Sequence, residues 1–143
     1  MWVALVVADQ ATKWIAQLNL SFGKSVYIIP KTLTFDLVHN YGAAYGIFQN
    51  QQLFLLTVSV IVIVGGYVFA DKIIQTIYSK IGLIFLLAGA FGNFIDRLCL
   101  GYVIDFINIY IFPVFNFADI YINIAVLLFV IEMFKHEKNK DNL

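Results

Sequence analysis

The sequence predicts an all-α membrane protein, with four transmembrane helices and a short β-structure on one membrane face. Three observations carry this reading. Of 143 residues, 62% are hydrophobic and only 13% are charged, and the mean hydropathy is +0.86; a soluble domain is about 45–50% apolar and about 25% charged. Apolar runs recur at lengths near the roughly 20 residues that a helix needs to cross a bilayer core of about 30 Å. The acids that lack a neighbouring base, finally, gather in one stretch of the chain.

Residues 2–20 form the first span. Asp9 and Lys13 interrupt it one helical turn apart, which is tolerable only if both face a bundle interior. The stretch has no basic leader and runs directly into Asp9, so it reads as a span rather than a cleavable signal peptide. With Met1 at the membrane face, Asp9 lies about 12 Å in, at 1.5 Å per residue. After this span, Pro30 precedes an alternation of Leu33, Phe35 and Leu37 with Thr34, Asp36 and Val38. That is the pattern of a short β-structure lying on the membrane surface. The run Asn40-Tyr41-Gly42-Ala43-Ala44-Tyr45-Gly46 follows, and its small residues let backbones approach closely and leave room for a groove.

Residues 53–70, with 18 positions and no charge, are the clearest span. Residues 81–98 are the third, uncharged until Asp96-Arg97 at the far end. Residues 120–134 are the fourth, with Glu132 near its end. Between the last two, Asp105 and Asp119 flank thirteen uncharged residues rich in Phe, Ile and Tyr and containing Pro113. This apolar loop can lie against the membrane and return the chain. Nothing resembles a linker or an internal repeat, so residues 1–143 read as a single domain.

Lys72 and Lys80 lie in one connection, and Lys135, Lys138 and Lys140 in the tail 135–143. The positive-inside rule puts both in the cytoplasm, and four spans put the N-terminus there too. Lys24 and Lys31 on the opposite side weaken the bias without reversing it. Residues 36–46, the Asp96-Arg97 end of the third span and residues 100–119 then converge on the extracytoplasmic face.

A formal net charge of zero and a pI near 6.7 offer no electrostatic case for nucleic acid. The single Cys99 excludes an intramolecular disulfide and a multi-cysteine metal site; it is expected to be a small buried apolar side chain. Neither His39 nor His136 has a nucleophile nearby in sequence. No metal site is expected without clustered His or Cys, although two Asp could hold a hard cation. No cofactor is expected.

Asp105 and Asp119 have no Lys or Arg within seven residues on either side, whereas Asp9 has Lys13 and Asp96 abuts Arg97. Unpaired acids in apolar surroundings have perturbed pKa values and mark functional sites. If the loop brings them together, two carboxylates within about 3 Å share one proton. One then acts as general base on a water while its protonated partner polarises a peptide carbonyl. Asn93 and Asn116 can donate to them without adding charge. Arg97 can pair with Asp96 or fork to an anion such as a lipid phosphate. A second reading is a small proton-coupled transporter or relay subunit that uses Asp105 and Asp119 as relay groups. It predicts acids spread through the bilayer, of which the Asp9–Lys13 pair is the one hint. A structural membrane adaptor, in which both acids are dispensable, is a third.

At these residues the chain resembles lipoprotein signal peptidase (signal peptidase II), a family of bacterial membrane aspartic proteases. Asp9-Gln10-Ala11-Thr12-Lys13 is similar to the family's first motif, and Asn40-Tyr41-Gly42-Ala43-Ala44-Tyr45-Gly46 to its Asn-x-Gly-Ala-Ala-Phe block. Gly92-Asn93-Phe94-Ile95-Asp96-Arg97 and Gly101-Tyr102-Val103-Ile104-Asp105-Phe106 resemble its third-span and loop motifs. Phe115-Asn116-Phe117-Ala118-Asp119 resembles its last. The resemblance covers nearly the whole chain, with the motifs in the family's order.

It implies four transmembrane helices with a small extracytoplasmic β-cradle, and Asp105 and Asp119 as the catalytic dyad. Asp9, Lys13, Asn40, Gly42, Asn93, Asp96, Arg97 and Asn116 would support the site or contact substrate. The implied activity is removal of the signal peptide from prolipoproteins, by cleavage before a lipobox cysteine that carries diacylglycerol. The implied partners are those diacylglyceryl-modified signal peptides and membrane lipids, for a monomer in the bacterial cytoplasmic (inner) membrane with its active site on the extracytoplasmic side. The chain departs from the family at Tyr45, where Phe is usual, at Ile120 and Asn123, where Ser and Gly are common, and at Ala88, which replaces a glycine.

Overall fold

The computed structural model describes residues 1–140. In chain order it contains α1 (Trp2–Asn19), β1 (Val26–Ile29), β2 (Leu33–Asn40), a 3-10 turn (Ala44–Gly46), α2 (Gln52–Val68), the one-turn α3 (Ala70–Ile73), α4 (Ile77–Leu100), β3 (Val103–Asn108) and α5 (Phe117–Lys140). The last three residues of the basic tail 135–143 lie outside the described residues.

The helix α4 is the axis of the molecule, packing against α1, α2 and α5. Small side chains make this possible. At Gly89 a Cβ would run into the Ala118 carbonyl oxygen and the Ile122 side chain of α5. At Gly92 it would sit 2.5 Å from Asp9 Oδ2 of α1. Both glycines are therefore required by close approach rather than by backbone conformation. Ala88, one of the family departures, is completely buried in the same seam.

Two helical segments, Ile77–Leu100 and Phe117–Lys135, are long and apolar enough to cross a membrane. The 17-residue α2 is apolar but shorter, and the 18-residue α1 carries Asp9 and Lys13. Large apolar side chains stand exposed along α1, α2 and α5, among them Leu18, Leu53, Ile61, Leu127 and Phe134. An apolar exterior of this extent is that of a membrane protein.

α4 and α5 start earlier than their apolar runs suggest, for reasons of capping. Thr76 Oγ1 accepts from the N–H groups of Tyr78 at 3.1 Å and Ser79 at 3.3 Å, while Ser79 Oγ accepts from the Thr76 N–H at 3.0 Å. This capping box opens α4 at Ile77, ahead of the expected 81. Gly101, in the left-handed conformation at φ +80°, closes it. The last helix begins at Phe117 rather than 120, which puts Asp119 in its first turn.

The β-structure is an antiparallel sheet of three strands in the order β1-β2-β3. β2 pairs with β3 through Thr34↔Asn108, Val38↔Asp105, His39↔Ile104 and Asn40↔Val103. A bulge between Phe35 and Val38 breaks the expected alternation, so that Thr34 and Leu37 are the buried residues of β2. The third strand was not legible in the pattern. Val103 through Phe106 are buried on both faces and show no alternation. The apolar segment after Asp105 is thus strand to Asn108 and loop only over 109–116. His39 of β2 stacks on Tyr102, just ahead of β3, with ring centroids 3.7 Å apart. Cys99, expected to be buried, is exposed near the end of α4.

Candidate active site

Four elements deliver polar side chains to one locus where α4 and α5 meet the sheet. β2 ends at Asn40, β3 carries Asp105, α4 carries Asn93, Asp96 and Arg97, and the start of α5 carries Asn116 and Asp119. Asp105 is 2% exposed and Asn116 fully buried, while Asp119 is partly open to a cavity.

Asn116 joins the two aspartates. Its Nδ2 donates to Asp105 Oδ1 at 2.7 Å, and its main-chain N–H donates to Asp119 Oδ2 at 3.1 Å. Its Oδ1 accepts from the Asp119 N–H at 3.0 Å. The last two bonds form a reciprocal cap on α5, with Asn116 as N-cap and Asp119 three residues on. A carboxylate in the first turn is also favoured by the positive end of the helix dipole. The local sequence that starts the helix is therefore the sequence that orients Asp119.

Each aspartate receives a second amide. Asn40 Nδ2 donates to Asp105 Oδ2 at 2.9 Å, and Asn93 Nδ2 donates to Asp119 Oδ1 at 2.9 Å. Asn40 is itself held, because its Oδ1 accepts the Gly42 N–H at 2.9 Å. Gly42 is buried in the turn that follows, where a Cβ would lie 2.7 Å from the Ile47 carbonyl oxygen. Burial raises the pKa of Asp105 from 3.8 to about 7, and the negative charge of Asp119 adds to the rise. The amides of Asn40 and Asn116 and the more distant Lys13 oppose it. Desolvation and like charge thus win over the two amides and the distant ammonium, as expected of paired acids in a buried site.

Behind this pair lies a buried ionic cluster. Lys13 Nζ is 2.9 Å from Asp9 Oδ2 and 2.9 Å from Asp96 Oδ2, and all three residues are at most 2% exposed. The Asp9–Lys13 pair therefore faces the protein interior. Asp96 pairs with Lys13 and not with its neighbour Arg97. Adjacent residues on a helix point in different directions, so Asp96 turns inward while Arg97 reaches across to donate to the Gly42 carbonyl at 3.2 Å. Gln10, not singled out by any sequence pattern of its own, donates to Asp96 Oδ1 at 2.8 Å and to the Gly92 carbonyl at 3.1 Å. Its one signal was its place beside Asp9.

The aspartates open onto a cavity of about 790 Å³ that runs between α2, α4 and α5 under the 109–115 segment. Its walls include Val58, Val62, Leu86, Ala90, Phe112 and Ile124, and Arg97 and Tyr45 stand at its polar end with Asp105 and Asp119. Such a volume is in the range of ligand-binding clefts, with a few polar groups at one end of an apolar trough. Tyr45 is largely exposed, so its extra hydroxyl faces no burial cost. Among the described residues no group of three His, Cys, Asp or Glu is arranged to hold a metal ion.

The pattern of the family described as signal peptidase (SPase) II matches residues 1–135. The chain belongs to the signal peptidase II family. Similar curated proteins include lipoprotein signal peptidases of Staphylococcus aureus strains bovine RF122 and JH9; each is 36% identical, over 96% of this chain and 88% of the relative. Two bacterial membrane enzymes solved by the in meso method share the fold. One has a TM-score of 0.92 at 36% identity over 97% of this chain and 88% of the other. The second has a TM-score of 0.84 at 36% identity over 92% of this chain and 88% of its own. As a signal peptidase II the chain is a protease with a bacterial membrane-enzyme fold, built of helices and a small three-stranded sheet.

Proposed function

We propose that this signal peptidase II removes the signal peptide from prolipoproteins, with Asp105 and Asp119 as its catalytic dyad. The observation that carries the reading is the pair itself: two aspartates bridged by Asn116 at the polar end of an apolar cavity. The cleaved bond precedes a lipobox cysteine already bearing diacylglycerol, and the apolar trough takes the helical signal peptide and its acyl chains. Acyl burial at about 0.8 kcal/mol per CH₂ then holds the scissile bond at the dyad.

In the reaction a water is bound between the two carboxyls. Asp119, ionised, accepts a proton from the water as its oxygen attacks the scissile carbonyl carbon. Asp105, protonated, gives its proton to the carbonyl oxygen, and a neutral tetrahedral diol results. Collapse of the diol breaks the C–N bond; the proton held by Asp119 passes to the leaving amine and that of a diol hydroxyl returns to Asp105. The raised pKa of Asp105 suits the acid role near neutral pH. Asn40, Asn93 and Asn116 keep both carboxyls oriented. Arg97 contacts the substrate chain at the cavity mouth, and Gly42 supports the site by holding Asn40 and Arg97.

The chain forms one domain that crosses the bacterial cytoplasmic membrane four times, through α1, α2, α4 and α5, as a monomer with lipid on its outer faces. The sheet and the dyad face the extracytoplasmic side. In α1 the buried Asp9–Lys13 pair allows a span despite its charges, and a short α2 is accommodated by local thinning of the bilayer at modest cost. The segment 109–116 covers the site and limits the water that reaches it.

The test is cleavage of one prolipoprotein peptide in two forms, with and without the diacylglyceryl group, by the protein in lipid nanodiscs. The reading requires a product whose new N-terminus is the modified cysteine, and turnover at least about tenfold lower without the lipid. Equal turnover of both forms, or cleavage elsewhere in the peptide, contradicts it.

A further inference from the structure

Each dyad aspartate follows a residue whose main-chain N–H is held by another buried acid, and both of those acids end on the same ammonium. The Ile104 N–H, before Asp105, donates to Asp96 Oδ2 at 3.1 Å. The Ala118 N–H, before Asp119, donates to Asp9 Oδ1 at 2.8 Å. Lys13 Nζ lies 2.9 Å from each acid and gives its remaining N–H to Asn93 Oδ1 at 3.0 Å. An ammonium has three donors and no acceptor, so Lys13 is fully engaged. That third contact also fixes Asn93. With Oδ1 turned to Lys13, the Asn93 amide can only present Nδ2 to Asp119.

We propose that Lys13 is the positioning residue of the dyad: through Asp96 and Asp9 it sets the separation of the two backbones that carry Asp105 and Asp119, and through Asn93 it orients the donor to Asp119. The inference rests on the dyad reading above. Stability alone is a poor reason for such a cluster, because apolar side chains of similar volume often fill a core as well or better than a buried ion triad. Geometry is what the cluster supplies. One cation on α1 reaches α4 and, through single carboxylates, β3 and α5. No bond joins Lys13 to either catalytic carboxyl, so it acts by placement and by its field. The charged groups around it are Asp9 on α1, Asp96 and Arg97 on α4, Asp105 on β3 and Asp119 on α5.

The test compares wild type with Lys13→Met and Lys13→Arg in lipid nanodiscs, measuring kcat and KM across pH. A loss of placement in Lys13→Met lowers kcat about 100-fold, the scale of a 1 Å misplacement, with KM within about threefold. Loss of the positive field moves the basic limb of the kcat/KM profile, set by Asp105, up by roughly one pH unit. Lys13→Arg restores the position of the profile and part of kcat. If Lys13→Met does not fold, Lys13→Met with Asp96→Asn removes one of the two acids left facing the gap and carries the same readout. A folded Lys13→Met with wild-type kcat and profile overturns the inference. So does a lowered kcat with an unmoved profile that Arg does not shift, since that is a purely structural effect. Asp105→Asn and Asp119→Asn, run alongside, separate the two claims: if they are active the dyad reading fails, and if they are inactive while Lys13→Met behaves as wild type only the positioning role fails.

Discussion

At the scale of single residues, the chemistry is set by which acids have partners. The sequence marked Asp105 and Asp119 by the absence of nearby bases, and the structure joins them through Asn116. It also marked Asp9 with Lys13, because residues four apart share a helix face. It misled at Asp96, whose true partner is eighty-three positions away across a helix interface and not the adjacent Arg97. Long-range ion pairs leave no local spacing to read. Asp105 has a pKa of about 7 when folded against 3.8 ordinarily, so folding takes up a proton between those values and stability falls as pH rises through that window. Asp105→Asn should therefore raise the melting temperature at pH 8 relative to wild type and change it little at pH 4; an equal effect at both would contradict the assignment. The same proton is needed for the acid role, so wild-type turnover should decline above about pH 7. Asn116→Ala removes the bridge between the acids and frees the cap of α5, and should cost at least about 100-fold in kcat. A loss under about threefold would show that Asn116 does not organise the pair.

At the scale of elements, small residues and caps decide how the helices meet. The four long helices were legible from apolar runs, and α1 and α2 begin where those runs do within a residue. The starts of α4 and α5 were not legible, because their capping residues Thr76 and Asn116 are polar and extend each helix beyond its hydrophobic stretch. β3 was hidden for a related reason: a strand buried on both faces has no period of two. Val103, Ile104, Phe106 and Ile107 were β-favouring in themselves, and only the expectation of an alternating pattern set them aside. The α4–α5 seam gives the prediction at this scale. A Cβ at Gly89 would meet the Ala118 carbonyl and Ile122, so Gly89→Ala should force the start of α5 away from α4 at a cost of about 1–3 kcal/mol. Because Asp119 adjoins Ala118, kcat should fall with the melting temperature. Gly65→Ala, where a Cβ meets nothing within 4 Å, is the control and should leave both unchanged.

At the scale of the whole molecule, function follows from an apolar body with one polar end. Composition alone assigned the chain to a membrane, and the convergence of distant polar segments on one face indicated where a site would be. The groove itself could not be read, since it depends on α2 and α5 flanking α4 with space between them. That space is about 790 Å³, and Ala90 lies on its floor. Ala90→Trp should fill it and raise KM for a lipid-modified substrate about tenfold or more, without moving the pH profile set by the dyad. An unchanged KM would mean that the signal peptide binds elsewhere.

The central claim is that two aspartates, brought together from a strand and a helix cap, hydrolyse the peptide bond. The most direct measurement is cleavage of a diacylglyceryl-modified prolipoprotein peptide by wild type, Asp105→Asn and Asp119→Asn, each shown to be folded by its melting curve in lipid nanodiscs. Wild type should cleave and each variant should lose at least about 1,000-fold in kcat, since neither an acid nor a base alone completes the proton transfers. Near-normal turnover by either folded variant would contradict it.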